Sequence, residues 1–227
     1  MLTKDLPQTP EELARYLDTS IIKPDVTAQE VKEFLIKASR YPFAGIGVDL
    51  VFTDLAVKVL ADTGVDVVTT IAYPLGGLTT AVKLKHAEMA LEKGTDEMDV
   101  GMDIGALRSG EFAAIEKEVA ALVKLAGGKI VKMVIHCDGL TDEEILQACK
   151  LARDGGADFV KTNPGFGANT KLRDVQLIRE HFKAEELKIM VAGGARTRQQ
   201  TLDFLVAGAQ RVATSAPYHV LGVMLPE

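Results

Sequence analysis

The chain has no tryptophan, two cysteines and four histidines in 227 residues. It also lacks any long apolar run, and each shortage excludes something. A membrane span needs roughly 18 to 20 consecutive apolar residues, and the N-terminal MLTKDLPQTPEEL has none of the apolar core of a secretory signal. A cytoplasmic protein with no membrane partner is expected. Cys137 and Cys149 do not stand at a metal-binding spacing, and in that compartment they read as plain thiols rather than as a disulfide. His86, His181 and His219 fall in expected helices or in the terminal tail, with no spacing that assembles a metal site. Basic residues are not clustered: 26 Lys and Arg face 32 Asp and Glu, a net charge of −6. That balance argues against a nucleic-acid surface.

What the chain does have is one pattern repeated. Short segments rich in Val, Ile and Thr recur at residues 44–50, 66–74, 96–104, 129–137, 157–163, 187–193 and 210–216, with YLDTSII at 16–22 as the least marked first member. Between them lie amphipathic stretches such as TAQEVKEFLIKASR, TTAVKLKHAEMALEKG, EFAAIEKEVAALVKLAGG, TDEEILQACKLARDGG and TRQQTLDFLVAGA. Several open on Thr with Glu or Gln three positions later, or close on Gly. Eight β-then-α units predict a single-domain (β/α)8 TIM barrel over residues 1–227. An open doubly wound sheet is the alternative, but no G-x-G-x-x-G follows the first segment. Because the chain stops at LGVMLPE soon after the eighth segment, a closing helix is expected to be short or absent.

A barrel does its chemistry at the carboxyl ends of its strands. Residues two apart on a strand share a face, so Asp99 on the fourth strand, Lys132 on the fifth and Lys161 on the sixth all point inward near those ends. A lysine at its ordinary pKa of about 10.4 is protonated at neutral pH, while burial and a neighbouring cation lower it. The neutral amine forms a Schiff base with an aldehyde or ketone, and the iminium then draws electrons from the adjacent carbon–carbon bond. In this reading Lys161 is the nucleophile, Lys132 the second cation and Asp99 the proton carrier. The same three residues also suit a purely structural salt-bridge layer inside the barrel.

The segments YLDTSIIKPDVT, YPLGGLTTAVKLKHA, DEMDVGMDIGALRSGEF, LTDEE, GGADFVKTNPGFG, AGGARTRQQ and RVATSA run in the order found in deoxyribose-phosphate aldolases, and the chain resembles that family over nearly its whole length. The resemblance implies a (β/α)8 class I aldolase, without metal or other cofactor, cleaving 2-deoxyribose 5-phosphate to glyceraldehyde 3-phosphate and acetaldehyde. It puts Lys161 at the Schiff-base position, Asp99 at the proton relay, Lys132 at an active-site lysine and Asp18 near the substrate hydroxyls. Dimerisation is common in the family, so a homodimer is an expectation that no residue here marks.

The chain also departs from the family pattern. On strand seven V-K-A-S-G-G-I-R becomes IMVAGGAR, which replaces the second lysine with Met190. Lys188 has the same parity but lies one pleat below, roughly 6.6 Å away at strand rise. Gly47, Asp49, Asp103 and His136 are further changes expected near the site. His136 reads either as a general acid or base or as a wall residue that binds substrate. A phosphate is expected in the loops after strands six to eight, on Gly165, Gly193, Gly194, Thr214 and Ser215, with Thr162 beside the nucleophile as another substrate contact. Two other readings stand beside the aldolase: the same chemistry on another phosphorylated sugar or ketone donor, or a sugar-phosphate-binding relative without turnover.

Overall fold

Eight strands pair in chain order and close on themselves in the computed structural model, which describes residues 6–225. They are β1 Leu17–Ile21, β2 Gly45–Val48, β3 Asp66–Ile71, β4 Glu97–Gly101, β5 Ile130–Val134, β6 Phe159–Lys161, β7 Lys188–Ala192 and β8 Arg211–Ala213. All neighbours are parallel, and β8 returns to β1 through the pairs Leu17 with Val212 and Asp18 with Ala213. Residues 1–5, which begin the N-terminal stretch, and residues 226–227, which end LGVMLPE, lie outside the described residues.

Helices alternate with the strands as the spacing predicts, and their starts follow from side-chain chemistry. α1 Pro10–Ala14, α2 Ala28–Ala38, α7 Asp142–Asp154 and α9 Arg198–Val206 each open on a threonine whose hydroxyl accepts the N–H of a Glu or Gln three residues on. That side chain reaches back to the threonine N–H, so two orphan donors are satisfied at once. α3 Thr53–Leu60, α4 Thr80–Glu92, α5 Ile104–Arg108, α6 Phe112–Ala126 and α8 Leu172–His181 complete the ring, and α6 stops at Gly127 in the left-handed region. α10 Pro217–Leu221 follows β8 and is short.

Strand parity divides the interior in two. Met98 and Val100, Val131 and Met133, and Val160 face the helices and are fully buried in one apolar cluster with Leu35, Val119 and Ile178. Burying each such side chain contributes roughly 1.5–3 kcal/mol. The alternate positions, including Glu97, Asp99, Lys132 and Lys161, point to the barrel axis and are buried as well. No helix among the described residues is long and apolar enough to cross a membrane. Cys137 and Cys149 are free and buried.

The strands are shorter than the β-rich segments of the sequence. Segment 66–74 leaves the strand at Ala72 and segment 129–137 after Val134, and left-handed residues follow at Ala72 (φ 52°) and His136 (φ 46°). A left-handed residue cannot continue a strand, so the apolar composition runs on into loops. One loop has a further requirement. Gly76 (φ +72°) lies against β4 so closely that a Cβ there would stand 2.0 Å from the carbonyl oxygen of Met102. Gly76→Ala should therefore lower the unfolding free energy by about 2 kcal/mol or more, read as a shift of the urea midpoint at constant slope.

Candidate active site

β4, β5 and β6 bring three of the expected residues into one ionic chain. Lys161 Nζ lies 2.5 Å from Asp99 Oδ2, and Asp99 Oδ1 lies 3.2 Å from Lys132 Nζ. Lys132 also contacts Asp18 Oδ2 at 2.9 Å and Glu97 Oε2 at 2.6 Å. Arg211 from β8 closes the set, donating to both Glu97 oxygens at 2.8 Å and reaching Asp18 Oδ1 at 3.6 Å. The inside of the barrel thus holds Lys132, Lys161 and Arg211 against Asp18, Glu97 and Asp99. Gly45 makes the packing possible: a Cβ there would meet Val68 Cγ2 at 2.7 Å and Asp18 Oδ2 at 3.3 Å.

These contacts set the protonation states. Burial pushes the Asp99 carboxyl up, but Lys132 and Lys161 outweigh it and hold it down to about 2. Burial disfavours the Lys161 ammonium, yet Asp99 and Tyr73 more than offset this and keep it above the usual lysine range. Lys132 acts in the opposite direction, too weakly to reverse the result, because three carboxylates surround it. The expectation that burial and Lys132 keep the Lys161 amine neutral is therefore not met in this arrangement. Burial also raises the Asp18 carboxyl, against the pull of Lys132 and Arg211.

Of the ionic set, Lys161 alone lines a cleft. The cleft, of about 550 Å³, opens above it, rimmed by the loops that follow β1, β6, β7 and β8. The five residues expected at a phosphate, Gly165, Gly193, Gly194, Thr214 and Ser215, all line this cleft. Gly193 (φ +86°) is locked there, since a Cβ would stand 2.2 Å from the Ala168 carbonyl oxygen. Two cations that sequence reasoning did not single out, Lys23 and Arg196, border the same space. Both are exposed, and neither forms an ion pair among the described residues. Tyr73 forms another wall, with its ring centroid 5.6 Å from Lys161 Nζ and its hydroxyl donated to the Pro164 carbonyl.

Several expected contacts fall elsewhere. Asp18, 4% exposed, is not in the cleft lining but sits beneath it as a partner of Lys132. Thr162 faces outward: its hydroxyl bonds that of Thr170 at 2.6 Å and accepts the Ala192 N–H at 3.0 Å, which ties the β6 loop to β7. His136 is turned out of strand register by its left-handed backbone. Its Nε2 lies 2.9 Å from the Pro74 oxygen, and it lines a separate depression with Leu75 and Arg108. Asp103 caps α5 by accepting the Ala106 N–H at 3.0 Å, while Asp49 accepts the Thr70 hydroxyl at 3.0 Å, and neither lines the cleft. Met190, fully buried, pairs in register with Lys161. Lys188 stays a pleat below, with Nζ 5.2 Å from the Phe159 ring centroid.

Fold and site together define a (β/α)8 barrel enzyme working at the carboxyl ends of its strands. Residues 58–224 match the model of the DeoC/LacD family aldolases, and the chain belongs to that family. It is 38% identical to a deoxyribose-phosphate aldolase of Streptococcus pneumoniae over 211 residues, 92% of this chain and 96% of that protein. Among solved structures it resembles the tetrameric deoxyribose phosphate aldolase of Aeropyrum pernix (28% identity, TM-score 0.87, 94% of this chain and 91% of that one). It is also similar to the aldolase QR15, at 28% identity and a TM-score of 0.88 over 92% of this chain and 94% of that one.

The ionic set predicts a signature of its own. Lys132→Met leaves three carboxylates facing two cations in a buried space, which should cost about 3–5 kcal/mol at pH 7. A carboxylate that takes up a proton relieves the imbalance, so the deficit relative to the unaltered protein should shrink as pH falls from 7 towards 4. Chemical denaturation at a series of pH values checks both.

Proposed function

We propose that the chain is a class I aldolase that reversibly cleaves 2-deoxy-D-ribose 5-phosphate to glyceraldehyde 3-phosphate and acetaldehyde, in cytoplasmic carbohydrate catabolism. The observation that carries the reading is the one buried amine that reaches the cleft, Lys161, in a lining that also holds Gly193, Gly194, Ser215, Lys23 and Arg196. Those lining groups supply backbone N–H donors and positive charge of the kind that holds a phosphate. The named relatives support the substrate. The homodimer expected from the resemblance belongs to the same reading, and light scattering on the purified protein reads it.

The proposed steps follow from the charges. Lys161 gives a proton to Asp99 across their hydrogen bond and attacks the substrate aldehyde carbon. Asp99 returns the proton to the carbinolamine hydroxyl, water leaves, and an iminium forms. The water just released takes the proton of the C3 hydroxyl and passes it to the ionised Asp99 as the C2–C3 bond breaks. The electrons of that bond move into the iminium and leave an enamine on Lys161, while C3 departs as the aldehyde of glyceraldehyde 3-phosphate. Lys132 does not touch the substrate in this scheme and holds Asp99 in place instead.

Borohydride added with acetaldehyde should fix a two-carbon adduct on Lys161, seen by peptide mass spectrometry. Lys161→Arg should carry none, and absence of an adduct in the unaltered protein would sink the proposal. Asp99→Asn should slow cleavage by about 100-fold or more. Because the Lys161 amine is held above its ordinary value, its neutral fraction grows with pH, so the trapping rate should still be climbing above pH 7. Met190→Lys sets a second cation opposite Lys161, which should move that rising limb to lower pH.

A further inference from the structure

Asp99 lies beneath the Lys161 amine, 3% exposed and outside the cleft lining, so a proton that must reach a substrate carbon within the cleft needs another carrier. Tyr73 lines the cleft and stands beside the same amine, with its ring centroid 5.6 Å from Nζ. We propose that Tyr73 is a catalytic acid and base, giving a proton to the enamine carbon during cleavage and removing it during synthesis.

Three features hold the group in place. Its hydroxyl donates to the carbonyl of Pro164, three residues after Lys161, so amine and hydroxyl are carried by one strand end and the loop that leaves it. Its ring packs edge-on against Phe166, with centroids 5.9 Å apart, which fixes the ring plane. On the opposite flank the in-register neighbour is Met190, which has no exchangeable proton. Burial raises the phenol above its ordinary value, so at neutral pH it carries the proton that it has to give.

The step balances. The phenolic O–H bond breaks as the enamine π pair takes the proton to form the new C–H bond, and the nitrogen lone pair becomes the π bond of the iminium. The phenolate is left beside a cation. Water then adds its oxygen to the iminium carbon and returns a proton to the phenolate, giving the carbinolamine and restoring Tyr73. Collapse of the carbinolamine moves its hydroxyl proton to nitrogen and releases acetaldehyde.

The inference rests on the aldolase reading, and the test separates the two. Acetaldehyde incubated with the protein in D2O should gain deuterium at its methyl group, because enamine formation and reprotonation exchange those hydrogens. Tyr73→Phe keeps the ring and its contact with Phe166 while removing only the hydroxyl. It should still trap acetaldehyde on Lys161 with borohydride, which also shows a folded site, while methyl exchange and retro-aldol cleavage fall by about 100-fold or more. Trapping retained with exchange within about threefold of the unaltered protein overturns the role of Tyr73 alone, since general acid–base groups contribute far more than that. Absence of trapping and exchange in the unaltered protein overturns the aldolase reading and this inference with it.

Discussion

Lys132 sits at the centre of the barrel, bound to Asp18, Glu97 and Asp99, and the site depends on that one buried ammonium. Burying any of these ions alone would cost several kcal/mol, and only mutual pairing offsets it. Three cations and three carboxylates therefore occur as a set, and each carboxylate is tied to a cation on another strand. Glu97 is held from two sides, by Lys132 and by Arg211. The geometry of Asp99, and through it of Lys161, follows from this arrangement rather than from any local feature of β4 or β6.

Much of this was legible in the sequence. Repeated β-then-α segments gave the eight-unit barrel, and the threonine capping boxes at Thr27, Thr141 and Thr197 marked helix starts that the structure keeps. Parity alone brought Asp99, Lys132 and Lys161 together. It had equally placed Glu97 on the face of Asp99, a signal present but unread. His136 lies away from the site it was expected near for a definite reason: its left-handed backbone turns the chain out of the strand alternation. Tyr73 follows Ala72, another left-handed residue, so no strand rule could aim its ring at Lys161. Lys23 and Arg196 lay within segments that carried the family resemblance, but their meeting across one cleft depends on loops β1 and β7 converging, which no local pattern encodes.

The departures from the family pattern change weight once placed. Asp49, Asp103 and His136 satisfy backbone or side-chain groups outside the cleft, so they bear on loop structure more than on substrate choice. Met190 remains the change in register with the nucleophile, and it removes charge from one flank of the amine. The work divides accordingly: strands carry the buried ions that fix protonation, and loops carry the groups that meet a ligand.

The equal count of buried charges has a consequence for the proposed cycle. While all three are ionised, the carboxylates form a cage that calls for three positive centres. The ammonium of Lys161 meets that demand, and so does an iminium, because both place one positive charge on the same nitrogen. An enamine does not, since its nitrogen is neutral and the cage is left one charge short. Reprotonation at carbon restores the balance, so the barrel interior acts as a counter-ion reservoir that shortens the life of the reactive carbon nucleophile and draws the cycle forward to a charged nitrogen.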